Sequence, residues 1–194
     1  MRPQNVATLL VAILAVTACA DESAPTAISA RPTEAALAAT GSGPRIGFGF
    51  NGTAGVVILT GGGSFDPTSA SNVADTDTRA AAGGGFRCTE NVTGGPLLNC
   101  AAGEGVRWDG VQLLASTNFR CSGTDILRSA TTSDRTAILL ADFYRAGDRN
   151  KESFRAPMIV SEDDIALDLP GVQNLWIQGV GCGAAIVNFS RTLL

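Results

Sequence analysis

"TAILLADFYRAGDRNKESFRAPMIVS" (Thr136–Ser161) holds two apolar runs on either side of a short polar, glycine-bearing stretch. If Ala146–Lys151 is a loop, the runs fold back on each other in one register. Phe143 then faces Phe154, Ala141 faces Ala156, and Leu139 faces Met158 on one side of the pair. On the other side Asp142 meets Arg155 and Ile138 meets Ile159, and Arg145 faces Glu152 beside the loop. Opposed pairs of this kind contribute about 0.2–1 kcal/mol each, and a slip of one residue loses them together. The stretch therefore predicts an antiparallel hairpin. Pro157 cannot donate to a ladder, so its strand should be an edge or should turn that position outward.

Period-2 apolar patterns continue on both sides of this hairpin. In "RIGFGF" (45–50), Ile46, Phe48 and Phe50 alternate with Gly47 and Gly49, and Asn51-Gly52 reads as a turn leading into "GVVILT" (55–60). Further strands are expected near 85–91, 106–114, 117–122, 174–180 and 184–189. "GFRCTEN" and "NFRCSGT" share Phe-Arg-Cys, a weak echo of repeated strand use. With 23 glycines and many short strands, the expectation is an all-β fold, an antiparallel β-sandwich or small β-barrel of about nine strands over residues 45–194.

The chain has 194 residues, 45% of them hydrophobic, a length and composition that suit one domain with a real core. Its net charge of −4 argues against nucleic acid, whose phosphates need a basic face. Histidine is absent, which removes Ser-His-Asp and Cys-His nucleophile systems and histidine-rich zinc sites.

The first 44 residues read as an address. Arg2 precedes the apolar run Val6–Val16, too short to span a bilayer and suited to a secretory signal. "VTAC" (16–19) resembles the bacterial lipobox. By that resemblance residues 1–18 are a lipoprotein signal peptide and Cys19 is the lipidated first residue of the mature chain. Two or more acyl chains anchor a protein effectively permanently. Ala18-Cys19-Ala20 also fits ordinary cleavage after Ala20, which would leave a soluble secreted protein. Residues 19–44, rich in Ala, Thr, Ser and Pro, read as a tether too poor in apolar bulk to fold.

Cys88, Cys100, Cys121 and Cys182 remain in the domain. An exported chain meets an oxidising compartment, so two disulfides are expected. Three pairings are possible, and Cys88–Cys100 with Cys121–Cys182 is preferred because the first pair flanks the turn-rich "ENVTGGPLLN". No CxxC spacing supports redox or zinc chemistry.

Chemistry-bearing motifs are thin. "GGG" at 61–63 and 83–85 lacks the lysine and the helix of a phosphate loop, and reads as turns or bulges. "SEDDIALD" (161–168) and "DTDTR" (75–79) lack calcium-loop spacing and read as solvated acidic turns. Asp109, Asp142, Glu152 and Glu162 are candidates for paired-carboxylate chemistry, but Asp142 and Glu152 already have arginine partners in the expected hairpin. Trp176, beside Cys182, reads as core; Trp108 is open to either reading.

"GEGVRWDGVQLLASTNFRCSG", "ADFYRAGD", "ESFRAPMIVSEDD" and "VQNLWIQGVGCGAAIVNFS" together look similar to a group of small exported bacterial proteins for which no activity, cofactor or catalytic residue is assigned. The likeness implies one domain over roughly residues 45–190 and transfers no site. The reading that follows is a membrane-tethered lipoprotein at the periplasmic or cell-surface face. Its domain binds a small apolar ligand, held in a barrel mouth, or an envelope protein, with no cofactor, metal or catalytic residue assigned. The alternatives are a carboxylate-dependent hydrolase or an isomerase or cyclase using a barrel cavity, and a purely structural surface protein.

Overall fold

The computed structural model describes residues 45–73, 81–105, 107–146 and 151–191. Cys19, the signal, the tether and "DTDTR" lie outside them. Eleven strands are described: β1 (Ile46–Ala54), β2 (Val57–Phe65), β3 (Ala81–Cys88), β4 (Arg107–Leu113), β5 (Ser116–Phe119), β6 (Arg128–Thr131), β7 (Thr136–Tyr144), β8 (Phe154–Ser161), β9 (Leu175–Ile177), β10 (Gly181–Gly183) and β11 (Ala185–Arg191). Nine form one antiparallel sheet in the order β10-β9-β8-β7-β4-β3-β2-β1-β11, and β5 and β6 make a separate hairpin.

The nine-stranded sheet rolls into a nearly closed barrel. Its two ends meet because β10 and β11 are consecutive in the chain, separated only by Ala184. The N–H of Thr53 donates to the Ala184 carbonyl and that of Gly55 to the Cys182 carbonyl, both at 2.9 Å, so the end of β1 continues its pairing past β11 onto β10. Closure is partial: β11 pairs with β1 along its length, and on its other side Ala185 and Phe189 donate to the side chains of Asn174 and Glu162 in place of a strand.

The alternation seen in the sequence sets what faces inward. Phe48 and Phe50 on β1, Phe65 on β2, Phe86 on β3, Trp108 on β4, Phe143 on β7, and Val187 and Phe189 on β11 all pack into one core. Phe48 contacts Phe50, Phe65 and Phe189, while Phe86 meets Phe143 edge-on with ring centroids 5.7 Å apart. The 3-10 turn Gly95–Leu97 adds Leu97 to this core beside Cys88 and Cys100. Aromatic side chains thus fill the barrel interior.

The predicted β7–β8 register is the one observed: Ile138↔Ile159, Leu139↔Met158, Ala141↔Ala156, Asp142↔Arg155 and Phe143↔Phe154. The Phe143 and Phe154 rings stack at 4.6 Å and 4°. Arg145 and Glu152 do not pair, because the ladder stops at Phe143–Phe154. Arg145 instead donates to the Leu98 carbonyl, and Glu152 takes the guanidinium of Arg155. β8 is not an edge strand. Pro157 lies opposite Leu140, and its carbonyl accepts from Gln178, just past the end of β9. A residue's N–H and C=O point to the same side of an antiparallel strand, so the missing N–H falls where β9 has ended.

Two turn readings are overturned. Asn51-Gly52 is strand, paired with Thr60 and Leu59, and the turn comes at Gly55-Val56. Gly55 takes the left-handed φ of +50° that this turn requires. Gly52 is needed because β11 crosses so close that a Cβ there would strike Ala184 and Ala185. Likewise both "GGG" stretches are strand interior: Gly61, Gly62 and Gly63 pair with Gly84, Gly83 and Ala82.

The β5–β6 hairpin lies against the outside of the barrel. Phe119 buries with Ile138, Ile159 and Trp176, flanked by Leu114, Ala130 and Ile165. This second layer explains why β7 and β8 read as nearly continuous apolar runs: each is covered on both faces. β6, whose sequence "RSAT" carries no apolar alternation, was not expected as a strand.

Candidate functional site

The two disulfides are Cys88–Cys100 and Cys121–Cys182, the preferred pairing. Their surroundings differ. Cys88 and Cys100 are 1% and 0% exposed within the core, whereas Cys121 and Cys182 are both half-buried on the outer layer. The "Phe-Arg-Cys" echo has a shared structural use: Phe86 and Phe119 are buried, Arg87 and Arg120 are exposed, and each cysteine is bridged.

Beside Cys121 an open groove of about 480 Å³ runs between the β5–β6 hairpin and the β9–β10 turn. Phe119 and Trp176 form its floor, with ring centroids 5.6 Å apart. The Trp176 indole Nε1 donates to the Arg120 carbonyl at 2.8 Å, which fixes the hairpin's end over β9. Leu127 and Val180 line the walls, and Asn118, Arg120, Ser122 and Gln178 bring polar groups to the rim. Gly179 and Gly181 hold positive φ in the β9–β10 turn, and a Cβ on Gly181 would lie 3.1 Å from the Cys121 carbonyl. Glycine there lets the hairpin approach closely enough to be bridged.

A second tie holds the hairpin. Arg128 donates from Nε and Nη2 to the two carboxylate oxygens of Asp168, at 3.0 and 2.5 Å. Hydrogen bonding from Arg128 holds the Asp168 carboxyl below its ordinary range and raises the Arg128 guanidinium above its own. The clamp joins the first residue of β6 to the segment between β8 and β9, next to the exposed apolar side chains Ile126, Leu127 and Leu167. A shallower hollow of about 440 Å³ lies on the outer face of β1 and β11, lined by Gly47, Gly49, Asn51, Ile186, Asn188 and Ser190 among others.

The four acid–base candidates are not brought together as free carboxyl groups. Asp109 pairs with Arg107, Asp142 and Glu152 share Arg155, and Glu162 pairs with Arg135. Asp109 and Asp142 do stand opposite each other across β4 and β7, each turned to its own arginine. In "SEDDIALD" the carboxylates diverge. Glu162 and Asp163 take Arg135, Asp164 accepts from the Ala166 and Gln173 amides, and Asp168 takes Arg128. Among the described residues no three His, Cys, Asp or Glu side chains converge on a point that would hold a metal ion. Both tryptophans are buried, Trp108 completely.

The groove was not anticipated. Its lining comes from residues 118–127 and 176–181, which no spacing rule connects. The local signal was an apolar pair, Ile126-Leu127, stranded in a Ser/Gly/Thr/Asp-rich turn. Among the described residues no helix is long and apolar enough to cross a membrane. No protein-family model, no curated protein and no solved structure matches the chain.

Proposed function

We propose that this is an exported protein anchored to a bacterial membrane through lipidated Cys19, with a barrel that serves as a non-catalytic binding module. Two disulfides suit an oxidising, extracytoplasmic compartment. The observation that carries the binding reading is the groove beside Cys121. Its volume of about 480 Å³ falls within the small-molecule range of roughly 300–1,000 Å³. A purely structural spacer would need no such feature.

The lining, nearly balanced between apolar and polar groups, suits a small amphipathic molecule whose apolar part rests on Leu127 and Val180 and whose polar part meets Asn118, Gln178 and Arg120. The arginine pairing of Asp109, Asp142, Glu152 and Glu162 weighs against the carboxylate-enzyme alternative.

Native mass spectrometry of protein extracted from membranes tests both halves separately. The expected chain begins at Cys19 and carries diacylglycerol; an unmodified chain beginning at Asp21 defeats the anchor. A co-purifying small molecule released by Leu127→Arg supports the groove. An unliganded protein, or one whose ligand ignores Leu127→Arg, defeats it.

A further inference from the structure

We propose that Cys121–Cys182 is a site of thiol–disulfide exchange, addressed through the groove, and that opening it releases the β5–β6 hairpin from the barrel. The proposal rests on the unequal placement of the two disulfides and does not depend on the anchoring or ligand readings. Cys88–Cys100 is sealed in the core and beyond the reach of a solvent thiol. Cys121, by contrast, lines the open groove.

The neighbouring charge favours the attacking species. Exchange proceeds through a thiolate, and Arg120, adjacent to Cys121, is exposed in the groove with no ion pair to any described residue. A thiolate RS⁻ attacks Cys121 Sγ, forming an R–S–Cys121 mixed disulfide and expelling Cys182 as thiolate. A second RS⁻ attacks the sulfur of R, giving RSSR and Cys121 thiolate. The protein gains two electrons and the two thiols lose two; protons from water complete the cysteine thiols at neutral pH.

The consequence is structural. Besides the disulfide, the far end of the hairpin is held by the Trp176–Arg120 hydrogen bond, the Arg128–Asp168 clamp and the packing of Phe119, while Ser116 at its near end exchanges two hydrogen bonds with the Asn72 side chain. A two-stranded hairpin is marginal without support. Freed, it uncovers Ile138, Ile159 and Trp176, an apolar face made by three barrel strands.

Full-length processed protein is treated with glutathione, an anionic thiol, or with cysteamine, a cationic one, then alkylated and mapped by peptide mass spectrometry. Hydrogen exchange is followed in parallel. The expected result is glutathione on Cys121 and alkyl on Cys182, appearing at least about tenfold faster than any label on Cys88 or Cys100. Exchange should rise in residues 114–131 and 174–177 but not in β1 and β2. Arg120→Glu should slow glutathione several-fold and leave cysteamine unslowed. Cys121→Ser with Cys182→Ser should reproduce the exchange pattern without thiol. Equal reduction of both disulfides, adducts on Cys182 in place of Cys121, or an unchanged hairpin after reduction overturns the proposal. Loss of both thiols' rates in Arg120→Glu, or of neither, overturns the part assigned to Arg120.

Discussion

Trp108 lies across Gly61: a Cβ on that glycine would stand 2.5 Å from indole Cζ2 and 2.7 Å from the Gly83 carbonyl. The indole Nε1 donates to the neighbouring Thr60 carbonyl at 3.1 Å, so the ring is held flat against the strand. Gly84, paired with both Gly61 and Trp108, completes the cradle. The triple-glycine stretches therefore make room for the largest side chain in the barrel, alternating small with large residues as a filled barrel requires.

Gly61→Ala is expected to destabilise the domain by about 1–3 kcal/mol, because neither the buried ring nor the backbone carbonyl can yield. Gly49→Ala, whose new methyl would meet nothing nearer than a carbonyl at 3.9 Å, should change stability by no more than about 0.5 kcal/mol. Urea denaturation followed by tryptophan fluorescence measures both, and equal losses would contradict the cradle.

The stacked pair Phe143–Phe154 locks the β7–β8 register. A double-mutant cycle with Phe143→Leu and Phe154→Leu should return a coupling of about 0.5–1.5 kcal/mol. A coupling near zero would mean that the two rings act only as separate apolar bulk.

The Arg128–Asp168 clamp should depend on acid. The folded Asp168 carboxyl lies below its ordinary value of 3.8, so its contribution is present above about pH 4 and is lost as pH falls through the folded value. The raised Arg128 guanidinium changes nothing in this window, since it stays charged. Hydrogen exchange in residues 122–128, corrected for its intrinsic pH dependence, should be constant from pH 5 to 8 and accelerate below pH 4. Asp168→Asn should show the accelerated state at pH 7 and a flat profile, whereas a wild-type profile in that variant refutes the clamp.

Removing the core disulfide with Cys88→Ala and Cys100→Ala should cost roughly 3 kcal/mol on the chain-entropy model for a loop of this length. Leu97, which the bridged loop carries into the barrel, should lose its protection first. Guanidinium melts read the stability change, and exchange in residues 89–104 reads the local opening; preserved protection there would show that the loop packs without its staple.

Much of this architecture was legible because local alternation and nearest-neighbour pairing are short-range. Ile46, Phe48 and Phe50 announce an inward face by spacing alone, and Phe143, Asp142 and Ala141 find their partners across one loop. The Asn51-Gly52 turn failed for the opposite reason. Its glycine answers to Ala184 and Ala185, more than 130 residues later in the chain, and no local rule carries that contact.

The amino-acid order by itself determined the all-β class, the hairpin register and the preferred cysteine pairing, since each rests on periodicity, opposed side chains or loop length along a few tens of residues. Only the tertiary structure decided that the sheet closes as a barrel, that its axis is filled by rings, and that the open groove lies outside, under the β5–β6 hairpin. Those outcomes depend on which distant strands meet. Closure brings β1 to the 181–191 segment, and the Cys121–Cys182 bridge spans 61 residues. Contacts of that range are set by packing of the whole chain and leave no periodic trace in it.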